Sequence, residues 1–412
     1  MINDLKYYGG SKTVHEGDYT TWPNPCEEDL TALKRVVNGE KYHRVNNPIV
    51  AEFEKKLKKW SGFVGCRAIN SGTSAIHIGM GYFSNKHKNV IVSALNWPGA
   101  VAPVYMAGMN PVYVDVDIKN ACLDETSVLQ KLNDGSANLV LATHLFGNVS
   151  YLDNVRKLMA DNDYMDIFDD CSQGMDISRM FATDKKSCYT SGIAFSGNGA
   201  KHLASGELGV LLTMDKELIA YVDYISLSSS SRNGDRFFSP FTKGYNFRPN
   251  VFSCAVAISR LSSLKEQLNV RKKNVLYLND QIKDLTGLKP LFNKDDENSN
   301  YYGAHFRICL EELGLPTKAA YRDFIVKLLY EEGVPISVWL KRPAWEYIDY
   351  KRTNCDIMDF PCTKLLLDTM FYITEVAGPN TEYTMNLFAQ AIKKVWNYIE
   401  NNTDFIISDI KK

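Results

Sequence analysis

Lys201 stands out by its surroundings. It lies in Ala194-Phe195-Ser196-Gly197-Asn198-Gly199-Ala200-Lys201-His202-Leu203-Ala204-Ser205-Gly206-Glu207-Leu208-Gly209-Val210, a glycine- and serine-rich loop between apolar segments. Most lysines are solvated surface residues, but these small neighbours let a bulky ligand approach the backbone. A lysine amine placed this way can form a Schiff base with an aldehyde. Upstream, Ile167-Phe168-Asp169-Asp170-Cys171-Ser172-Gln173-Gly174 puts carboxylates at the end of an apolar run. Strand ends of that kind sit near the mouth of an α/β sheet, where ligands gather, and a carboxylate there can pair with a protonated ring nitrogen. Two adjacent aspartates also suit an ordinary turn. Further up, Ile69-Asn70-Ser71-Gly72-Thr73-Ser74-Ala75 turns from a strand into a helix. Amides and hydroxyls at a helix N-terminus can hold a phosphate, although Ser and Thr are equally favoured as plain caps.

Each segment is weak alone, and their combination is not. A phosphate cradle, a strand-end carboxylate and a loop lysine, in that order, match the needs of pyridoxal phosphate. The lysine takes the aldehyde, the carboxylate keeps the pyridine nitrogen protonated, and the helix terminus holds the phosphate. Trp97, just after the apolar run ending near Ala94, can lie flat on a pyridine face. It also suits a core or an interface.

These residues need a scaffold, and the pattern supplies one. Asn89–Ala94, Pro111–Val116, Ala137–Ala142 and Met165–Phe168 are short, β-rich and apolar, as strands covered on both faces are. Between them, Ser74–Phe83, Gly99–Ala107 and Leu152–Asp161 carry helical spacing. The alternation predicts an α/β fold with a mostly parallel central sheet. Beyond residue 252 come a helix over Phe252–Leu268, a second over Val270–Leu285, a strand over Gly303–Leu310, and helices over Lys318–Gly333 and Thr384–Asn401. A large α/β domain with an N-terminal arm (residues 1–265) and a small C-terminal α+β domain (266–412) are expected.

Composition narrows the function. The 412 residues are 45% hydrophobic and 23% charged, with 47 basic and 48 acidic side chains well mixed. No basic tract points to nucleic acid, and no segment approaches the roughly 20 apolar residues that cross a bilayer. The opening MINDLKYYGGSKTV is polar where a signal peptide needs an apolar run, so a cytoplasmic location is expected. Nine scattered cysteines without a CxxC pair fit reduced thiols, not a metal site. A small polar substrate is the expected partner.

The chain resembles the DegT/DnrJ/EryC1/StrS family, pyridoxal-phosphate-dependent sugar aminotransferases of the type I (aspartate aminotransferase) fold. The motifs run in the family's order. Pro48–Glu54 resembles its entry helix, NSGTSAIH its phosphate segment, and Ala107–Asp117 its AGxxPVFVDxD strand. His144–Asn148 resembles HLYGN, DDCSQG resembles EDxAQ, FSGNGAKHLASGELG the lysine loop, and Gly244–Arg248 GYNYR. The resemblance implies that Lys201 bonds the cofactor, Asp170 faces the pyridine nitrogen and Gln173 lies near the phenolic oxygen. It gives Thr73, Ser74 and Ser196 to the phosphate and Trp97 to the ring face. Asn246 would reach the phosphate of a neighbouring subunit's cofactor, implying a homodimer with shared sites, and Arg248 is a candidate for a substrate or donor carboxylate.

The same resemblance implies transfer of an amino group from glutamate or glutamine to a keto sugar or cyclitol ketone. Tyr8–Lys12 followed by Trp22-Pro23 is similar to the GGxxxR…WP opening of the cyclitol and aminobenzoate branch. The departures are His202 after the lysine, Leu208 in GELG where GEGG is usual, and Asn96-Trp97-Pro98-Gly99. Each is expected to border the substrate, so the acceptor is expected to be unusual. The segment Ser226–Pro240 and the C-terminal domain are expected to shape that choice. Two alternatives stand beside this reading: a dehydratase acting on deoxysugars, whose relatives carry His in place of the lysine, and a non-catalytic sugar-phosphate-binding protein on the same scaffold.

Overall fold

A computed structural model describes residues 4–39, 41–44, 46–183, 186–226, 244–348 and 354–410. Seven strands form the larger sheet: β1 (Gly65–Ile69), β2 (Asn89–Ser93), β3 (Asn110–Val114), β4 (Leu139–Thr143), β5 (Asp166–Asp170), β6 (Gly192–Ser196) and β7 (Gly209–Thr213). Their order is β1-β7-β6-β5-β4-β2-β3. β2 to β6 run parallel, and β7 is antiparallel both to β6 and to β1. Two reversals restore direction, so β1 also ends at the edge where β2, β4, β5 and β6 end. The strands are apolar because helices cover both faces; every residue of β4, β5 and β7 is buried. The mostly parallel α/β sheet expected from the alternation is therefore present.

Several boundaries moved. The strand expected to stop at Phe168 continues through Asp169 and Asp170, because both carboxylates are satisfied or used inside the protein. The two helices expected on either side of residue 269 are one 32-residue helix, Val251–Ile282. Its apolar face changes partner midway. Cys254, Ala255 and Leu264 pack into the core under the large sheet, whereas Val275, Leu278 and Ile282 pack into a second core. That change of face imitates a break in the spacing, but no Gly or Pro interrupts the backbone.

The second core surrounds a four-stranded antiparallel sheet of β8 (Leu288–Pro290), β9 (Ala304–Ile308), β10 (Ile336–Ser337) and β11 (Met370–Ile373), in the order β10-β11-β9-β8. The helices Ala319–Glu331 and Glu382–Asn401 pack against it. Residues near the start of the chain join this core: Leu5 and Val14 are buried in it. The Glu332 carboxylate accepts hydrogen bonds from Lys6 N, Thr13 Oγ1 and Lys394 Nζ.

One buried polar cluster fixes the ligand-bearing edge of the large sheet. The Asp169 carboxylate takes two guanidinium bonds from Arg156, at 2.7 and 3.1 Å, and lies 3.0 Å from His144 Nε2. Arg156 also donates to the carbonyls of Ser150, Tyr151 and Tyr189. Burial pushes the Asp169 carboxyl up. The Arg156 charge and the bonds from His144 and Arg156 outweigh it and hold the group well below the usual carboxylate range. A buried pair of this kind is costly to break from one side, because the remaining charge has no water. Asp169→Asn is expected to remove about 3–5 kcal/mol of stability, measured as a lower urea midpoint; an unchanged midpoint would show that Arg156 is satisfied without the carboxylate.

Candidate active site

The ends of β1, β2, β4, β5 and β6 surround a cavity of about 290 Å³ lined by, among others, Thr73, Asn96, Trp97, Thr143, Asp170, Gln173, Ser196, Lys201, Tyr302 and Trp339. Six residues singled out in the sequence therefore meet: Thr73, Trp97, Asp170, Gln173, Ser196 and Lys201. The mouth of a parallel sheet is where a ligand finds converging strand ends and helix N-termini.

The helix Gly72–Phe83 opens one side. Ser71 caps it, its hydroxyl accepting from Ser74 N at 3.1 Å. The Ser74 hydroxyl sits 2.8 Å from Ser71 Oγ and does not line the cavity. The structure thus places Ser74 beside the cap at the start of the helix, while Thr73 and Ser196 line the cavity. Gly72 is needed here: a Cβ would stand 2.9 Å from Ser196 Cβ and 3.1 Å from Ser172 Oγ. Gly99 plays the same part opposite, since a Cβ there would meet Trp97 Nε1 at 2.6 Å and Thr73 Oγ1 at 2.9 Å. Free amides of a helix terminus, a threonine hydroxyl and a backbone stripped of side chains suit a phosphate.

The two aspartates separate by strand geometry. Successive side chains of β5 point to opposite faces, so Asp169 meets Arg156 while Asp170 lines the cavity. Burial raises the Asp170 carboxyl above its ordinary value, against the hydrogen bonds of Ser172 and the charge of Lys201. Ser172 N donates to Asp170 Oδ1 at 2.9 Å. The Gln173 amide oxygen accepts from Phe146 N at 2.7 Å, which fixes the orientation of its amide.

The lysine loop is a tight structure. Gly197 N donates to Leu208 O, Ser205 N to Gly197 O and Lys201 N to Asn198 O, at 2.7, 2.8 and 2.8 Å. Lys201 Nζ lies over the Tyr302 ring, 4.7 Å from its centroid, and 5.7 Å from that of Trp339. Trp339 in turn stacks on Trp97, with ring centroids 4.9 Å apart and planes within 15°. Burial lowers the Lys201 ammonium to about 8, and Asp170 opposes part of that shift.

The other expected residues lie away from this cavity's lining. His202 does not line the cavity: its ring is buried, and Nε2 lies 3.0 Å from Asn300 O. Leu208 is fully buried in the core under the large sheet, so it does not border the substrate either. Asn246 and Arg248 line a different hollow with Tyr42, His43 and Arg44, where Arg248 Nε donates to Asn246 Oδ1 at 2.8 Å. Glu207 lines both hollows. Most of the Ser226–Pro240 segment lies outside the described residues. Tyr302 and Trp339 were missed, because a tyrosine before one strand and a tryptophan after a two-residue strand carry no local motif.

A model of the DegT/DnrJ/EryC1/StrS aminotransferase family matches residues 24–382. GDP-4-keto-6-deoxy-D-mannose 3-dehydratase of Yersinia pseudotuberculosis is 26% identical over 341 residues, covering 76% of this chain and 81% of its own. L-glutamine:2-deoxy-scyllo-inosose aminotransferase of Streptomyces paromomycinus is 25% identical over 353 residues, covering 82% and 81%. Among solved structures, 3-amino-5-hydroxybenzoic acid synthase superposes with a TM-score of 0.80 at 20% identity, over 92% of this chain and 99% of that one. The chain belongs to the DegT/DnrJ/EryC1/StrS aminotransferase family and has its type I fold. Pyridoxal phosphate is the family's cofactor, and the donor set fits it: the Gly72 and Gly99 cradle, a buried carboxylate and an amine lowered to about 8 share one cavity.

A lysine amine reacts only when deprotonated, so reactivity rises as pH passes its pKa. Pulse acetylation of cofactor-free protein, read by mass spectrometry, is expected to give Lys201 a titration midpoint near 8 against the ordinary 10.5. A midpoint at the ordinary value would contradict the burial of this amine.

Proposed function

We propose that this family member is a pyridoxal-phosphate-dependent aminotransferase that moves an amino group from glutamate or glutamine to a keto sugar or cyclitol ketone. The observation that carries the reading is Lys201, a half-buried lysine lowered to about 8 in the cavity that Asp170 and Gln173 also line. Bound pyridoxal phosphate would supply an electron sink for the donor's α-carbon.

The protein's own groups have separable tasks. Thr73, Ser196 and the start of the helix Gly72–Phe83 would hold the phosphate, and Asp170 would keep a proton on the ring nitrogen. Gln173, oriented by Phe146 N, would serve the phenolic oxygen, and Trp97 would bound the ring face. Lys201 Nζ would hold the cofactor, and the same amine is placed to take the donor's α-proton as a general base and to return a proton as an acid. An amine that titrates near 8 serves both steps near neutral pH. The active protein is a homodimer, with Asn246 and Arg248 offered to the neighbouring subunit's site from their separate hollow.

The likeness to a 3-dehydratase makes dehydration of a deoxysugar the second reading. Lys201 favours transamination over it, because a dehydratase gains by replacing the group that completes amino transfer. Assays of glutamate and glutamine against a panel of keto sugars and cyclitol ketones separate the two. An aminated product supports the first reading, and release of ammonia with a deoxygenated product the second. Lys201→Ala is expected to lose the borohydride-trapped cofactor and to reduce transamination at least about a thousandfold, the scale of a missing general base. Retention of full activity would overturn the assignment.

A further inference from the structure

The Trp22-Pro23 pair, noted in the sequence only as a branch-like opening, touches the lysine loop directly. Trp22 Nε1 donates to Lys201 O at 3.0 Å, and Trp22 N donates to Glu375 Oε2 at 2.7 Å. Two guanidinium groups lie over the indole, with Arg271 Cζ 4.9 Å and Arg260 Cζ 5.5 Å from its ring centroid. Arg271 is buried, and its Nη1 donates to Tyr302 O at 3.0 Å. Tyr302 is the residue whose ring lies under Lys201 Nζ. The contacts therefore close a circuit: Lys201 carbonyl to Trp22, Trp22 to Arg271, Arg271 to the Tyr302 backbone, and the Tyr302 ring to the Lys201 amine.

We propose that Trp22 is a positioning residue for Lys201, its indole N–H anchoring the lysine carbonyl so that the amine stays buried over Tyr302. The proposal rests on reading Lys201 as the cofactor lysine, but its geometry does not. A lysine side chain has four rotatable bonds, so its amine stays in one place over Tyr302 only if the backbone beneath it is held. Within the loop, Lys201 N is held by Asn198 O, and the carbonyl is held from outside by Trp22. The stack on Arg271 keeps the indole at one angle, a desolvated cation over a ring face being a directional contact. Arg271 is itself short of partners, since its Nε is buried without one, and burial brings its guanidinium down to about 10. The aromatic face of Trp22 is thus part of what makes that buried cation tolerable.

The charged and titratable groups around the Lys201 amine are Asp170 on β5, Glu207 on the same loop, and Tyr302 below, with His202 and Arg271 beyond Tyr302. Asp170 favours the ammonium and burial favours the amine, with burial the larger effect. If the loop slips, Nζ regains water and its titration moves back toward the ordinary lysine value.

Trp22→Phe keeps a ring under the two arginines and removes the N–H; Trp22→Ala removes both. In the full-length protein freed of cofactor, pulse acetylation of Lys201 across pH reads the amine without any activity assay. Trp22→Phe is expected to raise the Lys201 midpoint by about one unit, and to slow capture of added pyridoxal phosphate about tenfold near neutral pH. A wild-type midpoint in Trp22→Phe would overturn the proposal, whatever Trp22→Ala does, because the hydrogen bond would then hold nothing. A shifted midpoint in a protein whose wild-type form traps no pyridoxal phosphate on Lys201 would support the positioning role while removing the cofactor reading. The two failures are therefore distinguishable.

Discussion

A lysine amine and an aspartate carboxyl share one cavity, and burial disfavours the charged form of each. This is the constraint from which the rest of the site follows. Burial lowers Lys201 to about 8 and raises the Asp170 carboxyl, while each group's charge steadies the other's. Left in water, the amine would titrate near the ordinary 10.5 and offer far less free base at neutral pH. Buried without a partner, the carboxyl would lose its charge. The Ser172 amide on Asp170 Oδ1 keeps that group available as an anion for a cationic ring nitrogen in the proposed reading.

Holding such a pair requires rigid surroundings. The parallel strands deliver it by ending at one edge, and the neighbouring aspartate secures that edge. Asp169 faces the other side of β5 and ties Arg156 and His144 into the sheet. The second core contributes the opposite wall. Tyr302 precedes β9, and Trp339 follows β10, so the cavity that holds Lys201 is closed by residues more than a hundred positions away in the chain. The long helix Val251–Ile282 packs into both cores, and Arg271 on it bonds the Tyr302 backbone.

Local signals made one side of this cavity readable and left the other hidden. Gly72-Thr73 and the Lys201 loop stand out because close approach to a ligand needs small residues, and that need is written as composition. Asp169 and Asp170 are indistinguishable by type; the family resemblance picks Asp170, and strand alternation with the position of Arg156 supplies the reason. Ser74 has the right chemistry for a phosphate, and the helix start places its hydroxyl against the capping Ser71 hydroxyl. His202 and Leu208 flank the chemistry in sequence and point away from it, because a tight loop sends neighbouring side chains to opposite sides. Tyr302, Trp339 and Trp22 act through tertiary contacts that no spacing rule encodes. The single helix read as two shows the same limit: its periodicity reports which core it faces, not whether the backbone continues.

The central claim is that Asp170, not Asp169, meets the cofactor ring. Nitrogen-15 NMR of protein loaded with ring-labelled pyridoxal phosphate tests it most directly. A protonated pyridine nitrogen is expected in the wild-type protein, and an unprotonated one in Asp170→Asn. An unprotonated nitrogen in the wild type, or a protonated one retained in Asp170→Asn, would contradict the claim.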